Sequence, residues 1–128
     1  LSEVEQFIKD NAGNPALAEF LPVLGAKAQE WGKLTVDVLT RAASNPEELG
    51  AASNDYLFYS GYVVLAYWWA RSVAATATSS QTAAFKQAKL ETARFYYARI
   101  LPRTLAHAAG IAAGADSLMA MADERFDA

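Results

Sequence analysis

Between Asp55 and Arg71 the chain runs fifteen residues, Tyr56 to Ala70, without a formal charge, and seven of the fifteen are aromatic. A membrane-spanning helix needs about 20 apolar residues, and the charges at either end close this run too early for that. No membrane span is therefore expected. Set on a helix, Leu57, Gly61, Val64 and Trp68 form one stripe, Phe58, Tyr62, Leu65 and Trp69 a second, and Tyr59, Val63 and Tyr67 a third. A helix apolar on every side is buried on every side, either centrally in its own domain or between its domain and a partner. Tyr and Trp carry polar handles that suit an interface better than a dry interior. Part of this helix is expected to be core and the rest a protein–protein contact.

With 128 residues and 13.8 kDa the chain is one domain by size, long enough to bury roughly two thirds of its unfolded surface. Hydrophobic residues make up 53% against 20% charged, a globular balance. A formal charge of −3 and a pI near 5.1 give no electrostatic basis for holding phosphate backbones, so nucleic acid is not an expected partner. The absence of cysteine removes disulfides, thiolate zinc sites and a cysteine nucleophile together, and fits a cytoplasmic location. The first residue is Leu1, with none of the regions of a signal peptide after it. The sequence reads as a piece of a longer protein.

Punctuation falls at three places. "NAGNP", Asn11 to Pro15, separates a short amphipathic segment carrying Val4, Phe7 and Ile8 from a long helix expected to begin at Pro15 with Asn14 as its cap. Residues 1–13 thus read as a lead-in helix and linker from an upstream domain, and residues 14–128 as a helical bundle. Along the long helix Phe20, Leu24, Ala28, Trp31, Thr35, Val38 and Ala42 share one face, while Lys27, Glu30, Lys33, Asp37 and Arg41 alternate in charge on the other. Pro22 either kinks this helix or marks its true start. "SNPEE", Ser44 to Glu48, opens the next helix with Asn45 as cap, Pro46 at the first position and Glu48 three residues after the cap; it is expected to reach about Thr76. "TATSSQT" is the third break, with a cap expected near Ser79 or Ser80. A further helix runs from Thr82 to about Ala109, bent at Pro102, and a short one covers Asp116 to Ala122 beyond Gly110 and Gly114. No segment alternates with period two for long enough to make a strand. The expected class is all-α, an up-and-down helical bundle of three to four long helices with short helices at the ends.

Chemistry is sparse. His107 is the sole histidine, with no Glu-x-x-His pair or second imidazole to build a metal site, and reads as an exposed helix residue. No phosphate-cradling glycine loop or nucleophile elbow occurs. Gly110 and Gly114 read as close helix contact or a helix end. Glu47 with Glu48, and Asp123 with Glu124, read as helix termini. Lys86, Lys89, Arg94, Arg99 and Arg103 make one helix basic against an acidic background, a face that is solvated or meets an acidic or phosphate-bearing partner. Catalytic, cofactor-binding and metal residues are all expected to be absent.

Two stretches, "DYLFYSGYVVLAYWWAR" and "KLETARFYYARILP", followed by "GADSLM", resemble the carboxyl-terminal helical extension of a subgroup of acyl-CoA dehydrogenases. The matching positions are Asp55, Tyr56, Leu57, Gly61, Ala66, Trp69, Ala70, Lys89, Thr92, Ala93, Arg94, Phe95, Tyr96, Leu101 and Pro102, with Trp68 beside them. The resemblance is close over the second half of the chain; in the first half it rests on helical layout and Trp31. It implies a larger parent that uses FAD to remove two hydrogens from the α and β carbons of an acyl-CoA, with its glutamate base and flavin site in a body outside this chain. The motif residues then read as structural or interfacial: Gly61 for close helix approach, Trp69 and Phe95 as core fillers, Pro102 as a bend, and Arg94 as a buried cation paired with Asp55.

The resulting expectation is a non-catalytic extension that packs on the catalytic body of its own chain or on neighbouring subunits, within a homo-oligomer that meets acyl-CoA only through the parent. The competing class is a stand-alone helical module whose aromatic helix lines a pocket for an apolar acyl or aromatic ligand.

Overall fold

The computed structural model describes residues 1–127, and every regular element in them is helical. α1 spans Ser2–Asp10, α2 Leu21–Ser44, α3 Glu47–Ala77, α4 Ala83–Phe95, α5 Thr104–Ala113 and α6 Asp116–Met119. The all-α bundle is thus the observed class. None of these helices is long and apolar enough to cross a membrane.

Helix starts follow the capping chemistry, with two shifts from expectation. Asn14 Oδ1 accepts from the Ala16 amide at 3.0 Å, but this closes a 3₁₀ turn at Pro15–Leu17 instead of opening α2. α2 starts at Leu21 with Pro22 in its first turn, so Pro22 marks the start and no kink is needed. Asn45 Oδ1 accepts from the Glu47 amide at 3.2 Å as expected of a cap. Glu48, however, does not reach back to close a capping box; it turns inward and is 7% exposed. The cap of α4 is Thr82, whose hydroxyl accepts from the Phe85 amide at 3.2 Å, rather than Ser79 or Ser80.

The single helix expected from Thr82 to Ala109 is broken into pieces. After α4 the backbone widens into a π-helical turn at Tyr96–Ile100, tightens into a 3₁₀ turn at Leu101–Arg103, and resumes as α5. Pro102 supplies the cause: it has no N–H to donate, and its ring excludes the carbonyl one turn back, so regular α geometry cannot pass through it. α5 then runs on to Ala113. Gly110 lies inside it, and Gly114, at φ +74°, ends it in a conformation only glycine takes without strain.

α1 to α4 run successively antiparallel, and α5 continues in the direction of α4 along α3. Tyr59 on α3 donates to the Lys27 carbonyl at 3.2 Å and to Glu30 at 2.6 Å, while Tyr56 meets Thr35 at 2.7 Å, which fixes the α2–α3 register. Tyr96 donates to the Tyr62 carbonyl at 2.6 Å and Tyr97 to the Ala66 carbonyl at 2.7 Å, which fixes the chain after α4 against α3. α1 lies in the trough between α2 and α3, its Leu1 end beside Gly32 and its Ile8 beside Gly25, with Phe7 set edge-on to Tyr67 at 5.4 Å between centroids. The main core gathers Leu24, Ala28, Leu34, Val38, Tyr59, Val63, Ala66, Leu101 and Ile111, and Val4 of α1 is buried in it. A second cluster at the other end packs Leu17, Phe20, Leu21, Val73 and Ala93. Trp69, half-buried, touches both.

Close approach of helices occurs at Gly110, not at Gly61. A Cβ on Gly110 would stand 2.8 Å from the carboxyl carbon of Asp55, whereas one on Gly61 would meet nothing within 4 Å. Asp55 cannot swing aside without losing its 2.8 Å bond to His107. Gly110→Ala is therefore expected to destabilise the fold by about 1–3 kcal/mol, and Gly61→Ala to stabilise it by about 0.5–1 kcal/mol through helix propensity. Equilibrium urea unfolding of the two variants checks both signs.

Candidate functional site

α3 is buried on the side of Ala52, Tyr59, Val63, Ala66 and Ala70. On the opposite side Leu57 is 69% exposed, Phe58 47%, Leu65 51% and Trp68 51%, with Val64 and Gly61 between them also exposed. These six residues cover about three turns without a polar side chain. Ser53 and Asn54 bound the face at one end, Arg71 and Ser72 at the other. Arg71 lies over the ring of Trp68 with its guanidinium carbon 4.9 Å from the centroid. The face therefore carries an aromatic anchor at one end and a flat glycine near its middle.

One edge of the face is held by α5. His107 Nδ1 lies 2.8 Å from Asp55 Oδ1, and its ring stacks on Phe58 at 5.3 Å between centroids, 9° from parallel. Tyr62 stacks on the same imidazole at 5.8 Å. His107 is thus half-buried and bonded, contrary to the exposed residue expected. Further along, Arg41 lies 3.3 Å from Glu48 and donates to the Ile111 carbonyl at 2.7 Å, joining α2, α3 and α5. A cation on α2 and two carboxylates on α3 thereby seat α5, while Gly110 and Gly114 leave room for those carboxylates.

The buried phenols act as ties. Burial raises the pKa of Tyr96 to about 12, and raises that of Tyr97 further. Burial, followed by the hydrogen bond to Glu30, does the same to Tyr59. All three stay protonated donors at any pH near neutrality. Tyr96 and Tyr97 each satisfy a carbonyl of α3, and Tyr59 gives its one proton chiefly to Glu30 of α2; each such bond is worth about 0.5–1.5 kcal/mol.

The other motif residues sit apart from this face. Lys89 lies 5.9 Å from the Trp69 ring and 5.5 Å from that of Phe85. Thr92 donates to the Ala88 carbonyl at 2.8 Å within its own helix. Phe95 is 60% exposed and fills no core, because the widened turn that follows rotates Tyr96 and Tyr97 inward in its place. Pro102 is exposed on its 3₁₀ turn. Arg94 does not meet Asp55. It makes a two-pronged pair with Glu19 at 2.6 and 2.8 Å, since α4 packs at the end of the bundle where the α1–α2 connection lies, while Asp55 is near the other end. Of the five cations expected to form a basic face, Lys86 reaches the Ala77 carbonyl at 3.4 Å, and Lys89 and Arg94 are also engaged within the fold.

Glu19, Tyr97, Arg41 and the His107–Asp55 bond were not signalled by the sequence. Tyr97 alone had a usable cue, its place beside Tyr96 in the quoted motif. The hydrogen bond from Arg94 holds the Glu19 carboxyl below the ordinary glutamate range. Because the folded value is the lowered one, this stabilisation is present above the ordinary range and is lost as pH falls through the lowered value. In a carboxyl NMR titration Glu19 is expected to protonate below the ordinary glutamate range, and Arg94→Met to return it to that range.

The groove between α2 and α3, of about 520 Å³, is lined by apolar side chains and hydroxyls. No curated protein and no solved structure matches the chain. A family model described as "Acetyl-CoA dehydrogenase C-terminal like" matches residues 1–122, nearly the full length. The face on α3 and its supports from α5 therefore belong to a carboxyl-terminal helical domain, and the chain is a member of the acetyl-CoA dehydrogenase C-terminal-like family.

Proposed function

We propose that this domain is the non-catalytic carboxyl-terminal extension of an acyl-CoA dehydrogenase-like FAD enzyme, entered through residues 1–13 from an upstream domain, and that its work is packing. The observation that carries the reading is the outer face of α3. Leu57, Phe58, Val64, Leu65 and Trp68 stand in water around Gly61 on the helix that is also the centre of the core. Contiguous apolar surface of this kind marks a protein–protein contact. The partner surface is the catalytic body of the same chain or a neighbouring subunit of a homo-oligomer. The α,β-dehydrogenation of acyl-CoA, the flavin and the glutamate base belong to that body, and the assembly is cytoplasmic. Of the aromatic positions that drew notice in the sequence, Tyr59 and Tyr67 are buried in the core, Tyr56 lines the groove against α2, and Trp68 lies on the outer face.

A charge placed on the face tests the reading. In the full polypeptide, Leu57→Glu together with Val64→Glu is expected to release the domain from its contact, seen as a smaller sedimenting species or as rapid proteolytic cleavage ahead of residue 1. Helical content of the domain should be unchanged, because both side chains point outward. Unaltered sedimentation and unaltered protease resistance in this variant would contradict the proposal.

A further inference from the structure

Along the outer side of α3, exposed residues recur at alternating steps of three and four: Asn54, Leu57, Gly61, Val64, Trp68 and Arg71. Such spacing keeps a line of side chains facing one way, and it is the seam along which a second helix packs lengthwise. From either end the line meets a polar residue, then a bulky apolar one, then a smaller one. Its midpoint lies between Tyr62 and Val63, which is also the middle of α3.

A helix whose face is alike from both ends matches a copy of itself laid antiparallel. About a twofold axis at the midpoint, Trp68 of one copy stands over Leu57 of the other, Val64 over Gly61 and Arg71 over Asn54, each contact made twice. Gly61 is then the hole for a Val64 side chain, and the space above it is open, since a Cβ there would meet nothing within 4 Å. A slight rotation of the pair toward Phe58 and Leu65 keeps the match, with Leu65 over Gly61 and Trp68 over Phe58. A face shaped to a different body has no reason to be symmetric about its own middle.

Charge selects the antiparallel sense as well. Arg71 is the one charged residue on the line, and its guanidinium donates to the Tyr67 hydroxyl at 3.3 Å. A parallel pair would set two Arg71 side chains face to face, a repulsive contact. The antiparallel pair instead offers each guanidinium the amide oxygen of Asn54. At the ends of α3, Glu47 is the first residue, and Lys86 Nζ lies 3.4 Å from the carbonyl of the last, Ala77. Antiparallel copies bring Glu47 of one level with Lys86 of the other, again twice, and their helix dipoles oppose favourably.

We propose that the outer face of α3 is occupied by α3 of a second copy of this chain, antiparallel, about a twofold axis between Tyr62 and Val63. This pairing rests on the reading of that face as a contact and narrows its partner to one. Six residues a side fall well short of the roughly 20–30 of a stand-alone interface, so the contact is one of several that hold the parent assembly.

Thiol cross-linking of the full polypeptide carrying Asn54→Cys and Ser72→Cys together tests the pairing, with the unsubstituted polypeptide as the blank. Within one chain these positions are about 27 Å apart along the helix, beyond a short bismaleimide, whereas in the antiparallel pair they face each other across the axis. A covalent dimer is expected on a denaturing gel, its link assigned by mass spectrometry to peptides holding residues 54 and 72, and it should be absent from either single variant. Adding Gly61→Phe fills the hole without a clash inside its own fold and should abolish the link, with circular dichroism unchanged. A link from residue 54 to itself would show a parallel pair, and a link from either thiol to a peptide ahead of residue 1 would show the catalytic body. Each of these overturns the proposal while leaving the face a contact. Absence of any link between copies, or a link that survives Gly61→Phe, overturns it too; sedimentation of the Leu57→Glu, Val64→Glu variant then reports separately whether the face is a contact at all.

Discussion

A helix of 31 residues that is apolar around its circumference needs a neighbour on every side, and α3 is that helix here. α2 packs along one flank, α4 with the turns that follow it and α5 along another, and α1 lies in the trough beside α2. Four elements still leave one face uncovered from Leu57 to Trp68. The architecture of the bundle and the case for a partner have the same origin. The chain encodes a central helix with more apolar surface than its own short helices can cover.

Covering α3 brings polar groups into the interior, and they are satisfied in a patterned way. Long aromatic hydroxyls reach helix carbonyls: Tyr59 to Lys27, Tyr96 to Tyr62, Tyr97 to Ala66. Carboxylates on the polar end of α3 are matched by α2 and α5, Glu48 with Arg41 and Asp55 with His107. Glycines on α5 admit those carboxylates, which is why Gly110 tolerates no Cβ although it lies within a helix. One end of the bundle is thus joined by the Glu48 and Asp55 contacts, and the other by apolar packing around Phe20, Leu21 and Val73 together with the Arg94–Glu19 pair. Among the described residues, four buried atoms lack a hydrogen-bond partner: Ser60 Oγ and Trp31 Nε1, and also Arg41 Nε and Glu48 Oε2, which face each other as an ion pair 3.3 Å apart.

The helical class was legible because apolar positions recur at helical spacing on α2 and because Asn45 with Pro46 is a strong start signal. The all-round apolar character of α3 was legible too, and it pointed to both core and contact, since a run of fifteen uncharged residues leaves few other soluble arrangements. What was not legible depends on direction. Composition cannot say which third of such a helix faces out, so Gly61, read as a packing glycine, turned out exposed, and Phe95, read as core, lies in solvent. Pro102 announced a bend, but not that the strain would be taken up by a π turn before it, which sets the rotation of Tyr96 and Tyr97. Long-range ion pairs were invisible for the same reason. Arg94 and Glu19 are 75 positions apart, and nothing local links them.

The account stands or falls on whether the outer face of α3 is covered in the assembled parent. Hydroxyl-radical footprinting of the native full polypeptide, read by mass spectrometry at Leu57, Leu65 and Trp68 against the same residues in urea, measures that directly. Strong protection of all three is the predicted result. Oxidation near the unfolded rate would show the face open to water and contradict the packing role.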